Sequence, residues 1–299
     1  MIIHFSAIQV YIGSYVTVMN KLNDGNILTT KNNEYNLNQS NNKYDYEVML
    51  KVQKFHYSTI NPTIQNVHNE CLNHDVNKWI ETFTLKDILP NSYLQKIELK
   101  KYNKVKKNSG QAFTKESIKD EELTEILYDA FARDKNSLSK NYPSAGALYP
   151  VIPLLLVTHS TNESSILSPG CYVYDSMDQN LLKIEEWDEI EVLEKVKSYM
   201  STDHSDLPIY CMAYAIDFRR AITKYENKGY RHAMIETGLA AQSFKNSLSK
   251  YSTIKERCWS GFQDLPLSKY CGMDIRLTPI TLLQWFGYEN VEIEVHNDK

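Results

Sequence analysis

The chain has 299 residues, with 33 Lys and Arg against 37 Asp and Glu, a net charge of -4 and 42% apolar residues. That length buries at least one substantial core and leaves room for a small extra domain. The charge balance lacks the basic surplus of a nucleic-acid binder and the acidic tail of a disordered solubiliser, so no nucleic-acid partner is expected.

The first nineteen residues, Met1–Met19, carry no Lys, Arg, Asp or Glu. His4, Ser6, Gln9, Gly13, Ser14 and Thr17 suit a membrane span badly, and a signal peptide would need a basic start and a small-residue cleavage site. Val10/Ile12 and Val16/Val18 instead alternate like two strands around Gly13. A soluble, cytoplasmic protein is expected. Asp24-Gly25 reads as a hairpin turn and Asn32–Lys43 as an Asn-rich loop, so residues 1–50 are expected to be short strands.

An amphipathic stretch follows at Val67–Phe83, and Pro90 marks a candidate boundary. His68, Cys71 and His74 lie three residues apart, but no second cluster completes the four ligands of a structural zinc site. They read as a polar helical face, and no metal is expected. The five cysteines, at positions 71, 171, 211, 258 and 271, are scattered and odd in number, a poor disulfide framework that fits a reducing compartment. Lysines 100, 101, 104, 106 and 107 form a basic run that reads as a solvated linker unless a phosphate lies nearby.

Beyond residue 112 the pattern becomes regular. Thr114 is expected to cap a helix, with Leu123, Ile126, Leu127 and Phe131 giving helical spacing over Glu121–Ala132. Val151–Thr158 reads as a strand buried on both faces, Cys171–Asp175 as a short strand and Glu189–Met200 as a helix. Ile209–Ile216 is a further buried strand, Tyr230–Lys250 a long helix, and Val291–Val295 an edge strand. Helices and strands interleave in an α+β arrangement.

Two segments carry chemistry. Tyr142-Pro-Ser-Ala-Gly-Ala-Leu-Tyr-Pro150 places Ala145, Gly146 and Ala147 where their backbone can lie against a flat ligand, with Pro143 and Pro150 bracing the ends. A β-branched side chain at position 146 would take the ligand's space. The same composition also suits a tight turn packed on a helix. Arg219–Tyr225 and Gly229–Gln242 form the second segment, whose small residues permit close packing. An ammonium at Lys224 beside the phenol of Tyr225 favours phenolate, which makes a base near neutral pH; an exposed helix end is the plainer reading.

Taken in order, these stretches resemble the SagB-type azoline dehydrogenases of the nitroreductase superfamily. Pro143–Pro150 reproduces the family's Pro-Ser-Ala-Gly-Ala-Leu-Tyr-Pro run, Gly170–Asp175 resembles its Gly-Leu-Tyr-His-Tyr-Asp strand, and Lys224-Tyr225 with Gly229–Gly238 resembles its helix start. The resemblance implies a nitroreductase-like FMN-binding fold, with a central mixed sheet flanked by helices, over residues 101–299. A small β-rich extension, residues 1–100, would precede it and could dock a peptide. The implied reaction converts thiazoline or oxazoline rings of a ribosomally made precursor peptide to thiazoles or oxazoles. One of Lys224 and Tyr225 would take a ring C–H proton as hydride passes to the flavin. Pro143 and Ser144–Ala147 would line the isoalloxazine and ribityl chain, Ser260 and Gly261 would bring backbone amides to the flavin edge, and Arg231 and Gln242 would add supporting contacts. Lys106, Lys107 and Ser109 stand where the family usually has an Arg-Arg-Ser-x-Arg segment, so the FMN phosphate would meet point charges rather than guanidinium forks. Implied partners are the precursor peptide, the cyclodehydratase and other synthetase subunits, and a second copy in a homodimer. The alternatives are a general NAD(P)H-dependent nitroreductase and a non-catalytic subunit that keeps the fold.

Overall fold

The computed structural model describes residues 44–60, 78–80, 87–89, 91–103, 108–159, 166–188, 190, 192–200 and 207–290. Helix α1 (Tyr46–Tyr57) comes first, then α2 (Asp120–Phe131) and a single turn at Ala145–Ala147. Strands β1 (Val151–Val157), β2 (Gly170–Asp175) and β3 (Asn180–Glu186) follow, then a π-turn at Val192–Val196 running into α3 (Lys197–Met200). The chain closes with β4 (Tyr210–Ile216), α4 (Phe218–Tyr225), α5 (Asn227–Ser247), β5 (Ile254–Trp259), α6 (Asp264–Tyr270) and β6 (Ile280–Tyr288).

The six strands form one sheet in the order β3-β2-β1-β4-β6-β5. Each of the five ladders is antiparallel, so the parallel component of a mixed sheet is not found among the described residues. The central strands are apolar at every position because both faces are covered. Val151, Leu155 and Val157 of β1, with Tyr210, Met212, Tyr214 and Ile216 of β4, join a core with residues of α1, α2, α4 and α5. Leu154 and Leu156, with Cys211, Ala213 and Ala215, point the other way to Val196, Met200 and Leu267. Alternation of side chains along a strand thus builds three layers, helices on sheet on helices. Pro153 is tolerated in β1 because it pairs with Tyr214 only; the ladder to β2 starts one residue later, at Leu154.

Several sequence expectations change. Residues 46–50 are helical, not strand: the Asp45 carboxylate accepts from the Glu47 amide at 2.8 Å and caps α1, whose Val48, Met49 and Val52 enter the core. Thr114 caps no helix; its hydroxyl accepts from the Glu116 amide at 3.3 Å in a turn. Its amide donates to the Tyr288 carbonyl at 2.9 Å, while α2 starts after Lys119 with Asp120, Glu121 and Glu122 in the first turn, favourable to the helix dipole. The strands β3, β5 and β6 and helices α4 and α6 complete what periodicity left unassigned. The strands expected before residue 44, His68, Cys71, His74, Pro90 and the strand Val291–Val295 lie outside the described residues; of the stretch Val67–Phe83 only residues 78–80 are described, and they are helical. Among the described residues no helix is long and apolar enough to cross a membrane.

The corner between α4 and α5 is tight. Glu226 turns the chain at φ 50 and ψ -135, and Gly229 then passes directly against the Ala221 carbonyl, where a Cβ would overlap the oxygen. Backbone rather than a flexible side chain opposes that Cβ, so α5 must shift to admit it. Gly229→Ala is expected to destabilise the fold by about 1–3 kcal/mol, read as a lower urea midpoint. An unchanged midpoint would show that the corner is not close-packed.

Candidate active site

Antiparallel pairing of β1 with β4 sets the first residue of one, Val151, opposite the last residue of the other, Ile216. The Asp217 amide donates to the Pro150 carbonyl at 2.9 Å, so the chain entering β1 and the chain leaving β4 run side by side at one end of the sheet. Asp217 then caps α4, its carboxylate accepting from the Arg219 amide at 2.9 Å and the Arg220 amide at 3.2 Å. Eight residues of helix carry the chain to Lys224 and Tyr225.

There the two sequence segments meet. Gly146 sits in the left-handed region at φ 63, and a Cβ built on it would lie 2.6 Å from the Tyr225 hydroxyl and 3.0 Å from Lys224 Nζ. A side chain at 146 would therefore meet the Lys-Tyr pair. Gly146, Ala147 and Lys224 are exposed and Tyr225 is half-buried. The Lys224 ammonium lies 5.4 Å from the Tyr225 ring centre, and the His232 ring packs edge-on to the same phenol at 5.0 Å. Ala145, Gly146 and Ala147 carry no side chain beyond a methyl, so the amine of Lys224 and the phenol of Tyr225 lie directly against the backbone at Gly146.

The turn itself is unfavourable locally. Ala147 at φ 54 and Tyr149 at φ 47 are non-glycine residues in the left-handed region, each at about 1–2 kcal/mol. Contacts from elsewhere in the fold hold it. The Ser144 hydroxyl donates to the Glu236 carboxylate of α5 at 2.5 Å and accepts from the Tyr149 amide at 2.8 Å. The Tyr149 hydroxyl accepts from the Lys140 amide at 3.1 Å, Arg220 reaches the Tyr149 carbonyl at 3.4 Å, and the Arg133 guanidinium stacks 4.3 Å above the Tyr149 ring. Because Ser144 has given its one proton to Glu236, it faces a ligand with acceptor capacity only.

The other expected site residues scatter. Ser260 and Gly261 follow β5, whose last residue, Trp259, pairs with Leu283. They leave the sheet at the same end as Gly146, but three strand spacings from β1, about 14 Å. Gly261 packs on the Trp259 ring, whose buried Nε1 has no acceptor among the described residues. Pro143 is exposed at the start of the turn. Ser109 is exposed next to Gly110, whose amide donates to the Glu256 carbonyl of β5 at 3.0 Å. Arg231 and Gln242 lie on the exposed face of α5, where the Gln242 amide donates to Asn246 at 2.8 Å. Lys106 and Lys107 lie outside the described residues.

Sequence reasoning missed the charged group behind the turn. Burial raises the Glu236 carboxyl from its ordinary 4.5 to about 7, against the opposing pull of the Ser144 hydroxyl and Lys140. Burial, reinforced by Arg133, lowers the Lys140 ammonium from 10.5 to about 7. Burial and then Glu236 hold the Tyr142 phenol far above its ordinary range, so it stays neutral. A signal was present: Glu236 is a lone carboxylate on the small-residue face of α5 shared by Ala233, Thr237 and Ala240.

Residues 106–249 match the nitroreductase family model. The chain is 28% identical over 180 residues to the Microcin B17-processing protein McbC of Escherichia coli, covering 59% of this chain and 62% of that protein, so less than two thirds of it is matched. Its fold superposes on a chain of the E. coli microcin synthetase McbBCD complex, solved with truncated pro-MccB17 bound, with a TM-score of 0.71 and 24% identity. That superposition covers 82% of this chain and 94% of the other. The fold is nitroreductase-like.

The buried pair gives stability a pH dependence of definite sign. Between about pH 4.5 and 7, folded Glu236 keeps a proton that the unfolded chain releases, so stability falls as pH rises. Between about pH 7 and 10.5, the unfolded chain holds a Lys140 proton that the folded chain lacks, so stability rises again. The two contributions together place a minimum near neutrality. Glu236→Gln is expected to flatten the acid-side slope of the urea midpoint; a wild-type slope in that variant would contradict the assignment.

Proposed function

With residues 106–249 matching the nitroreductase family model, we propose that the protein is an FMN-dependent azoline dehydrogenase. It oxidises thiazoline or oxazoline rings to thiazoles or oxazoles in a ribosomally made precursor peptide, as one subunit of a toxin- or bacteriocin-maturing complex. The observation that carries this reading is the meeting of the Gly146 turn with the Tyr225 hydroxyl and Lys224 ammonium, from segments far apart in the chain. Similarity to a microcin-processing protein supports a peptide substrate and synthetase partners such as a cyclodehydratase.

Aromatisation removes two hydrogens from the ring. Tyr225 or Lys224 takes the one that leaves as a proton and can hand it on to solvent, because Lys224 is exposed. FMN, when bound, supplies the two-electron acceptor for the other. Residues 144–147 would hold its ring system, and Lys106, Lys107 and Ser109 its phosphate. The base pair favours this reading over a general nitroreductase, whose substrates need no C–H deprotonation. A homodimer also fits: Met234, Ile235 and Leu239 are exposed together on α5, with Ile235 57% accessible. A cytoplasmic, peptide-docking assembly of this kind is the setting proposed for the N-terminal extension.

The flavin is tested first, by the mass and absorbance spectrum of any ligand released on denaturation. Lys224→Ala and Tyr225→Phe should then each lower azole formation by about 10²- to 10⁴-fold with flavin retained, scored as loss of two hydrogens per ring by mass spectrometry. Undiminished turnover in both would remove the base assignment. Nitroaromatic reduction with NAD(P)H and no peptide oxidation would instead favour the general nitroreductase. For the dimer, Ile235→Glu should shift the sedimentation coefficient to that of a monomer; a wild-type value would exclude this face.

A further inference from the structure

We propose that Glu236, acting through Ser144, is a positioning residue whose ionisation sets how tightly the Ser144–Tyr149 turn is held against Lys224 and Tyr225. The inference rests on the reading of Lys224 and Tyr225 as the catalytic pair, and adds to it a group that touches neither of them.

The geometry is a relay. Glu236 is 2% exposed on α5, and its carboxylate accepts the Ser144 hydroxyl proton at 2.5 Å. The same hydroxyl oxygen accepts from the Tyr149 amide at 2.8 Å, closing a ring across the turn that contains Gly146. Ala147 and Tyr149 are non-glycine residues at positive φ, so the turn is strained despite its own backbone bonds and leans on contacts from outside it. A hydroxyl donating to a carboxylate is held more strongly than one donating to a neutral acid. Loss of the Glu236 charge therefore loosens Ser144, and with it the turn that abuts Tyr225 and Lys224.

The groups that face this carboxyl come from every neighbouring segment. Ser144, Lys140 and Tyr142 face it from the chain before the turn, Arg220 from α4, and the Val151 amide from β1. Lys140 in turn faces Arg133 and Asp175. Desolvation brings the Glu236 titration to about 7, so the relay changes state across neutral pH. Its sense is opposite to the effect on global stability: ionisation tightens the turn while making the fold as a whole less stable.

Amide hydrogen exchange of Tyr149 in the full chain tests the relay without cofactor or substrate. After normalising to intrinsic rates, wild-type protection should be several-fold greater at about pH 8 than at about pH 6, on either side of the Glu236 titration. Ser144→Ala should lose about ten-fold in protection at both values. Glu236→Gln, which keeps an acceptor oxygen, should hold an intermediate level that does not change between them. Wild-type pH dependence in Glu236→Gln would assign the transition to Lys140 and overturn the proposal, as would full protection in Ser144→Ala. A second arm follows peptide oxidation: Glu236→Gln should lose the rise in kcat through neutrality while KM for the peptide stays constant. Should no peptide be oxidised at all, the functional reading falls, while the exchange result still decides the relay. Glu236→Ala should abolish both the protection and the pH response; if it does not fold, Glu236→Gln and Ser144→Ala carry the test.

Discussion

The pairing of β1 with β4 is the constraint on which the candidate site depends. With Val151 opposite Ile216, the turn that precedes one strand and the helix that follows the other must leave the sheet together. The bond from the Asp217 amide to the Pro150 carbonyl locks that exit, and Asp217 then aims α4 by capping it. A slip of one residue in this ladder would turn one of the two strands inside out with respect to both cores. It would also separate Gly146 from Tyr225. Fold stability and site geometry therefore rest on the same register.

Around that exit the fold tolerates features that oppose stability. Two non-glycine residues hold positive φ, and a carboxyl and an ammonium are both drawn into partly dehydrated surroundings. None of these helps the chain fold. Each is offset by the packing of α5 over the sheet, where Ala233, Ala240 and Phe244 are fully buried. Strain and desolvation gathered beside an exposed amine and a half-buried phenol are what a reactive centre requires, because a poised group must be held away from its relaxed state.

Much of this was legible before any coordinates. Unbroken apolar runs at Val151 and Ile209 announced the two central strands, since only a strand covered on both faces can be apolar throughout. The long helix was visible in its small-residue spacing, and the Pro-Ser-Ala-Gly-Ala-Leu-Tyr-Pro run together with Lys224-Tyr225 marked both halves of the site. Less was visible where a tertiary contact replaces a local signal. Thr114 looks like a helix cap but pairs with the β6 end, and α1 was hidden because its one signal, Asp45, follows an Asn-rich stretch that reads as loop.

By itself the sequence determined which segments bury their side chains and which residues are candidates for chemistry, because residue type and periodicity are properties of neighbours along the chain. Only the tertiary structure decided that the Gly146 turn faces Tyr225 and Lys224, that Ser144 spends its proton on Glu236, and that Arg231 and Gln242 look outward from α5. Proximity and desolvation arise between segments far apart in sequence. Their effect on a carboxyl or an amine depends on what the fold packs around it, which no local pattern specifies.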